Sequence, residues 1–132
     1  MHELIKTRGC VYQSAYHIVW RSIDRRNVLV GRVRQHLLAL FSQIAGDKGF
    51  DLLACEVMPD HVHLFVSLPP TISVANAVKI FKGISARKLR MAFPELKAQV
   101  RSDHLWAPSY YFGTAGHVSA ETIQHYIEEG QS

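Results

Sequence analysis

Two imidazoles stand two positions apart in His61-Val62-His63, and a phenol, Tyr126, stands near the C-terminus. Side chains at i and i+2 of an extended strand project to one face, so the two rings can hold a single divalent cation between them. A phenol has an unperturbed pKa near ~10 and attacks a phosphodiester at neutral pH only where something stabilises the developing charge. A metal ion on the scissile phosphate does this, which would join the His pair and Tyr126 in one reaction. Two His make an incomplete coordination set, and further oxygen or nitrogen ligands must come from protein, water or substrate. Without context, the same residues read as two hydrogen-bonded histidines and an edge tyrosine with a wet hydroxyl.

The elements that must position these groups follow from periodicity. Val11 to Trp20 (VYQSAYHIVW) is rich in β-branched and aromatic residues and reads as a first strand. Asp24-Arg25-Arg26-Asn27 is a polar loop. Val33, Leu37, Leu40, Phe41 and Ile44 fall at helical spacing, with Gly46 and Gly49 as the stop. Phe50 to Met58 and His61 to Leu68 read as strands joined by Pro59-Asp60, a turn short enough to require an antiparallel hairpin, so the His pair opens its second strand. Val62 and Leu64 then face the core, and His61 and His63 face the uncovered side of the sheet.

Pro69-Pro70 ends that strand. Ser73 is placed to cap a second helix running to about Phe93, where Pro94 forbids continuation. Its core face is Val74, Ala77, Val78, Phe81 and Ile84, and another face carries Lys79, Lys82 and Arg90 with Arg87 beside them. His104 to Thr114 reads as a last strand with Pro108 at an edge or bulge. Gly113 and Gly116 flank a loop that either hinges or simply turns the chain into a short helix from about Ala120 to Glu129. On that helix Tyr126 lies beside the stripe of Ile123 and Ile127. The order predicts an α+β fold, a ferredoxin-like βαββαβ antiparallel sheet with two helices on one face and a C-terminal helix carrying the tyrosine. The exposed sheet face makes a dimer a natural expectation.

Composition bounds the reading. A chain of 132 residues with 48% apolar content buries one core, so residues 1–132 are expected to be one domain. The formal net charge of +4 favours a polyanionic partner, with Lys and Arg dispersed rather than gathered in a tail. Cys10 and Cys55 are isolated, which reads as reduced intracellular thiols rather than a disulfide framework or zinc cluster. With no apolar leader or membrane-length apolar run, the expectation is a soluble, cytoplasmic protein without a membrane partner. No Gly-rich phosphate loop of the nucleotide-hydrolase type is present.

The blocks EVMPDHVHLFVSLPP, FKGISARKLR and LWAPSYYFGTAGHVSAETIQHYIE, in that order and spacing, resemble the single-tyrosine HUH transposases (TnpA proteins) of small bacterial insertion sequences. The likeness runs over nearly the whole chain from VYQSAYHIVW onward. It implies a metal-dependent single-stranded DNA transposase, a homodimer with active sites shared between subunits, acting on DNA with hairpin-forming ends. His61 and His63 would hold Mg²⁺ or Mn²⁺, and Tyr126 would form a 5′-phosphotyrosine link that a 3′-hydroxyl later reverses. The family's third ligand is a Gln four residues after the Tyr. Here Gly130 holds that place and Gln131 follows it, so Gln131 becomes the ligand if Gly130 ends the helix and bends the chain.

For DNA, Lys79, Lys82, Arg87 and Arg90 are candidate phosphate contacts, with Arg21, Arg25 and Arg26 extending the path. His17 and Trp106 lie within the blocks but read as core or supporting residues. Two other classes stay open. A non-catalytic single-stranded nucleic-acid-binding module would share the scaffold, although no aromatic-rich RNA-binding strand is evident. A small metallohydrolase using His61 and His63 would tolerate loss of Tyr126. A domesticated relative processing chromosomal repeats would share the chemistry but not the mobile element.

Overall fold

The computed structural model describes residues 5–7, 10–12, 15–100 and 102–114. Strands β1 (Ile5–Thr7) and β2 (Cys10–Tyr12) pair antiparallel in a small ribbon of their own. The main body then runs β3 (Ala15–Arg21), α1 (Gly31–Lys48), β4 (Asp51–Met58), β5 (His61–Ser67), α2 (Val74–Ala92), a short α3 (Leu96–Val100) and β6 (Tyr111–Thr114). The single strand expected over Val11–Trp20 is therefore two: β2 pairs with β1, whereas β3 pairs with β5 and β6 in the main sheet. The helix expected over 120–129, with Tyr126, lies outside the described residues, as does Gln131.

The main sheet has the order β4-β5-β3-β6, with every neighbouring pair antiparallel. β5 lies between β3 and β4, and β3 lies between β5 and β6. This interleaving is the ferredoxin-like split βαβ arrangement the element order predicts. Side chains of period two send Val62, Leu64 and Val66 of β5 and Ile18 and Trp20 of β3 under the helices, each 0–1% exposed.

Both helices bury the face their spacing dictates. α1 buries Leu37, Leu40, Phe41, Ile44 and Ala45. It ends at Gly49, whose φ of 74° is the left-handed cap conformation, and the Gly49 N–H donates to the carbonyls of Ala45 and Gly46. Gly46, expected to share in the stop, is an ordinary helical residue. α2 is capped by the Ser73 hydroxyl, which accepts from Asn76 N at 3.1 Å. Its buried residues are Ala77, Val78, Phe81, Ser85 and Leu89, while Val74 and Ile84 pack half-buried at the margin. At the centre Trp20 meets Phe41 and Trp106 edge-on, with ring centroids 5.7 and 5.8 Å apart. Each such aromatic removes on the order of 150–250 Å² from water, which makes this cluster a main source of the core's stability.

The last strand is shorter than the sequence implies. β6 spans Tyr111–Thr114, and upstream only an isolated bridge, Ser22 with Trp106, continues the pairing with the β3 chain. Between that bridge and the Val19–Tyr111 pair, Ala107 to Tyr110 oppose Trp20 and Arg21, so the chain bulges where Pro108 offers no N–H. α3, which buries Leu96 and Val100, was not foreseen. Among the described residues no helix is long and apolar enough to cross a membrane.

Candidate metal centre and nucleic-acid interface

The hairpin turn fixes where the His pair starts. Met58 pairs with His61 across Pro59-Asp60, and the turn is fastened from outside the hairpin: Ser22 N donates to Asp60 O and Leu29 N to Pro59 O, both at 3.0 Å. Because Val62 and Leu64 are held in the core, His61 and His63 must face the opposite side of the sheet, and their ring centroids lie 4.9 Å apart. Antiparallel register places Arg21 and Met58 beside His61, and Val19 and Glu56 beside His63. This face is not bare throughout, since Ala15, Ala54, Phe65 and Ser67, which share it by register, are all buried.

Each imidazole has a partner that sets its orientation. His61 Nδ1 donates to Asp60 Oδ1 at 2.7 Å, and that bond holds the Asp60 carboxyl below the usual carboxylate range. An ionised Asp60 keeps the His61 proton on Nδ1 and leaves the Nε2 lone pair outward. His63 Nδ1 lies 3.0 Å from Nε2 of His17, whose ring stacks on Phe65 with centroids 4.4 Å apart. Burial first, then the charges of His61 and His17, push His63 down to about 4; burial also lowers His17. Both rings are therefore neutral at pH 7, and one proton between them satisfies the contact. With that proton on His63 Nδ1, its Nε2 carries the ring's lone pair, with Glu56 Oε1 3.9 Å away.

Imidazoles oriented through one ring nitrogen, with carboxylates behind or beside them, are what a divalent-cation site requires. The residues fit the first half of such a site. Among the described residues no group of three or more His, Cys, Asp and Glu forms a metal-binding cluster, so the ligand set must be completed from elsewhere. Sequence reasoning set His17 aside and did not single out Asp60 or Glu56. Asp60 was visible as the residue preceding His61, and Glu56 could have been found by counting back equally across the two-residue turn.

The basic residues do not form one path. Arg21 sits on the His face, opposite His61 in the strand register. Arg25 and Arg26 are exposed beyond it, where Asp24 and Arg25 adopt positive φ in a 3₁₀ turn, Ile23–Arg25. Lys79 and Arg87 are exposed on α2, in the helix layer on the other side of the sheet. Lys82 is tied inward: its Nζ donates to the carbonyls of Ala107 at 2.7 Å and Ser109 at 3.2 Å, and burial lowers its pKa. Arg90 is half-buried beneath the same segment. Trp106 is core, with its indole N–H donating to Ser85 Oγ at 3.0 Å.

Fold and site together define a ferredoxin-like domain that presents a paired-histidine centre at the mouth of a hairpin. Comparison with known proteins resolves the class further: residues 10–130 match the family described as "Transposase IS200 like", and the chain belongs to that family and is a transposase. The ISDra2 transposase TnpA of Deinococcus radiodurans is 42% identical over 126 residues, covering 96% of this chain and 90% of that protein. The transposase for insertion sequence element IS200 of Salmonella typhimurium is 31% identical over 117 residues, covering 86% and 77%. A crystal structure of a Deinococcus radiodurans R1 protein superposes with a TM-score of 0.79 at 40% identity, covering 96% of this chain and 97% of that one. A REP-associated tyrosine transposase bound to a REP hairpin shares the fold, with a TM-score of 0.59 at 16% identity over 89% and 64% of the two chains.

Proposed function

We propose that this transposase cleaves and rejoins single-stranded DNA at hairpin-forming ends by transesterification, with Tyr126 as nucleophile and His61 and His63 holding Mg²⁺ or Mn²⁺. The observation that carries the reading is the His pair itself: two imidazoles side by side on one sheet face, each oriented by a hydrogen-bonded partner, in a chain whose relatives are transposases. The hairpin named with the fold neighbour is in keeping with a folded DNA substrate.

The bound ion would polarise the scissile phosphate and steady the phenolate. Tyr126 Oη then forms a bond to phosphorus as the bond to the 3′ oxygen breaks; the phenol proton is lost and the departing 3′ oxygen gains one. One phosphoester replaces another, so no nucleotide energy source is needed, and attack by a 3′-hydroxyl on the phosphotyrosine reverses the step. Asp60 and His17 hold the two imidazoles in their donor tautomers throughout. Arg21, beside His61, is placed to meet a non-bridging phosphate oxygen. Gln131 is the proposed third ligand, and a homodimer with shared sites is the proposed assembly.

The test is a denaturing gel of protein incubated with a single-stranded hairpin oligonucleotide and Mg²⁺. A covalent protein–DNA band is expected that disappears with chelator and with Tyr126→Phe. Cleavage that survives Tyr126→Phe would identify a hydrolase, and a mobility shift with no covalent band would identify a binding module; either result overturns the proposal.

A further inference from the structure

We propose that the outer side of α2 is a groove for a polynucleotide backbone, crossing the helix at Gly83, with phosphodiesters held by Lys79, Arg87 and Arg90. The inference rests on the reading of DNA as substrate and adds where a strand is gripped away from the His pair.

Two cavities meet at this point. One, of ≈ 330 Å³, lies between α2 and the 103–108 segment, and Lys79, Gly83, Arg90, His104 and Pro108 are among its walls. The other, of ≈ 250 Å³, is lined by Lys79, Ile80, Gly83, Ile84 and Arg87. Lys79 and Gly83 belong to both, so the glycine is the low saddle between them.

Among the described residues nothing requires Gly83 to be glycine. A Cβ built there meets nothing within 4 Å, and its φ is not in the positive range that side chains avoid. It stands exposed inside α2, where glycine is the poorest helix former after proline. A residue that weakens its helix and relieves no clash with the described residues leaves room for something beyond them. Glycine is the residue to expect where a ligand must pass close to a backbone.

The charges identify that ligand. Lys79 and Arg87 flank the saddle on the exposed surface, and Asp103 is the one carboxylate on the walls of either cavity. Arg90 Nη2 is buried and has no hydrogen-bond partner among the described residues. A guanidinium N–H deprived of water needs an acceptor, and a phosphate oxygen in the larger cavity would provide a charge-assisted one. Lys82 does not serve as a phosphate contact in this arrangement, because its ammonium holds the 107–109 wall in place. A repeating anion is the partner suited to cations spread along a groove, whereas a single small anion would engage only one of the cavities.

The experiment measures DNA binding by the full chain using fluorescence anisotropy, for a hairpin with an unpaired flank, the stem alone and the flank alone. Gly83→Leu fills the saddle without touching a charge. It is expected to raise Tm by about 2–6 °C, since it replaces a helical glycine. It should also weaken binding of the flanked hairpin at least tenfold. Lys79→Gln and Arg87→Gln should each lower the slope of log Kd against log salt by about one. A loss confined to the stem or to the flank tells which part of the DNA lies in the groove, and either supports the inference. Gly83→Gln is the second variant should Gly83→Leu associate with itself. Unchanged affinity of a folded Gly83 variant for all three oligonucleotides overturns the groove while leaving the cleavage reading intact. A wild-type chain that binds none of them overturns both.

Discussion

His17 Nε2 and His63 Nδ1 lie 3.0 Å apart as diagonal neighbours across the β3–β5 pair, with His17 directly opposite Phe65. The contact makes the second imidazole of the pair dependent on a residue from another strand. On the proposed reading His17 acts as a positioning residue, with its ring nitrogen selecting the His63 tautomer.

Replacing His17 by Ala should therefore weaken Mn²⁺ binding about 10–100-fold, while His17→Gln, whose amide oxygen can stand near the lost nitrogen, restores part of it. Calorimetric titration of Mn²⁺ into each variant reads this directly. Equal affinity in wild type and His17→Ala would remove His17 from the site.

Protons should destabilise the metal-free fold in a defined window. His63 sits at about 4 in the folded chain against an ordinary 6.5, and His17 is lowered as well. Below pH 6.5 the unfolded chain takes up protons that the folded chain refuses, so stability falls as pH drops from 6.5 through 4. The loss from His63 is on the order of 3 kcal/mol. Thermal melts in chelator at stepped pH should show Tm declining across this interval, with a shallower decline in His63→Gln. A Tm that is flat between those limits would contradict the burial of the imidazole.

Lys82 and Arg87 should separate stability from DNA affinity. Lys82→Met deprives the carbonyls of Ala107 and Ser109 of a charged donor and should cost about 1–3 kcal/mol in urea unfolding, with the salt dependence of DNA binding kept. Arg87, exposed and without a resolved protein partner among the described residues, should behave the opposite way: neutral in stability when changed to Gln, and weaker in DNA binding. Identical behaviour of the two variants would refute the distinction.

The Cys55 thiol should be inert. Burial pushes it up to about 12, with Arg34 and Glu56 acting in opposite senses. The thiolate fraction at pH 8 then falls on the order of 10³-fold below that of an ordinary cysteine. In a Cys10→Ser background, alkylation should be slow in buffer and prompt in denaturant; rapid labelling of the native protein would count against it.

The hairpin, the cap at Ser73 and the direction of the His pair were all readable because each rests on local rules: a two-residue turn, a side-chain oxygen before a helix, and strict alternation along β5. β6 was misjudged because its pairing is tertiary. Trp106 is fixed by a single bridge to Ser22 and by Ser85, and Pro108 interrupts the ladder beyond it. The role of Lys82 was hidden for a similar reason, since helical spacing gives the side a residue occupies but not the carbonyls that a distant loop brings to it. His17 and Glu56 needed strand register, which the hairpin supplied for Glu56 and only the assembled sheet supplied for His17. Tyr126 and Gln131 rest on the sequence and the family alone.

The fastening of Pro59-Asp60 by Ser22 and Leu29 has a further consequence. A hairpin tip normally frays, and a cation arriving there must bear the entropy of arresting two side chains and their backbone. Here that arrest is part of folding, so capture of an ion should leave the main chain of the tip where it was. Amide hydrogens of Ser22 and Leu29 should then exchange with deuterium as slowly before the ion is added as after, the signature of a receptor shaped in advance of its guest.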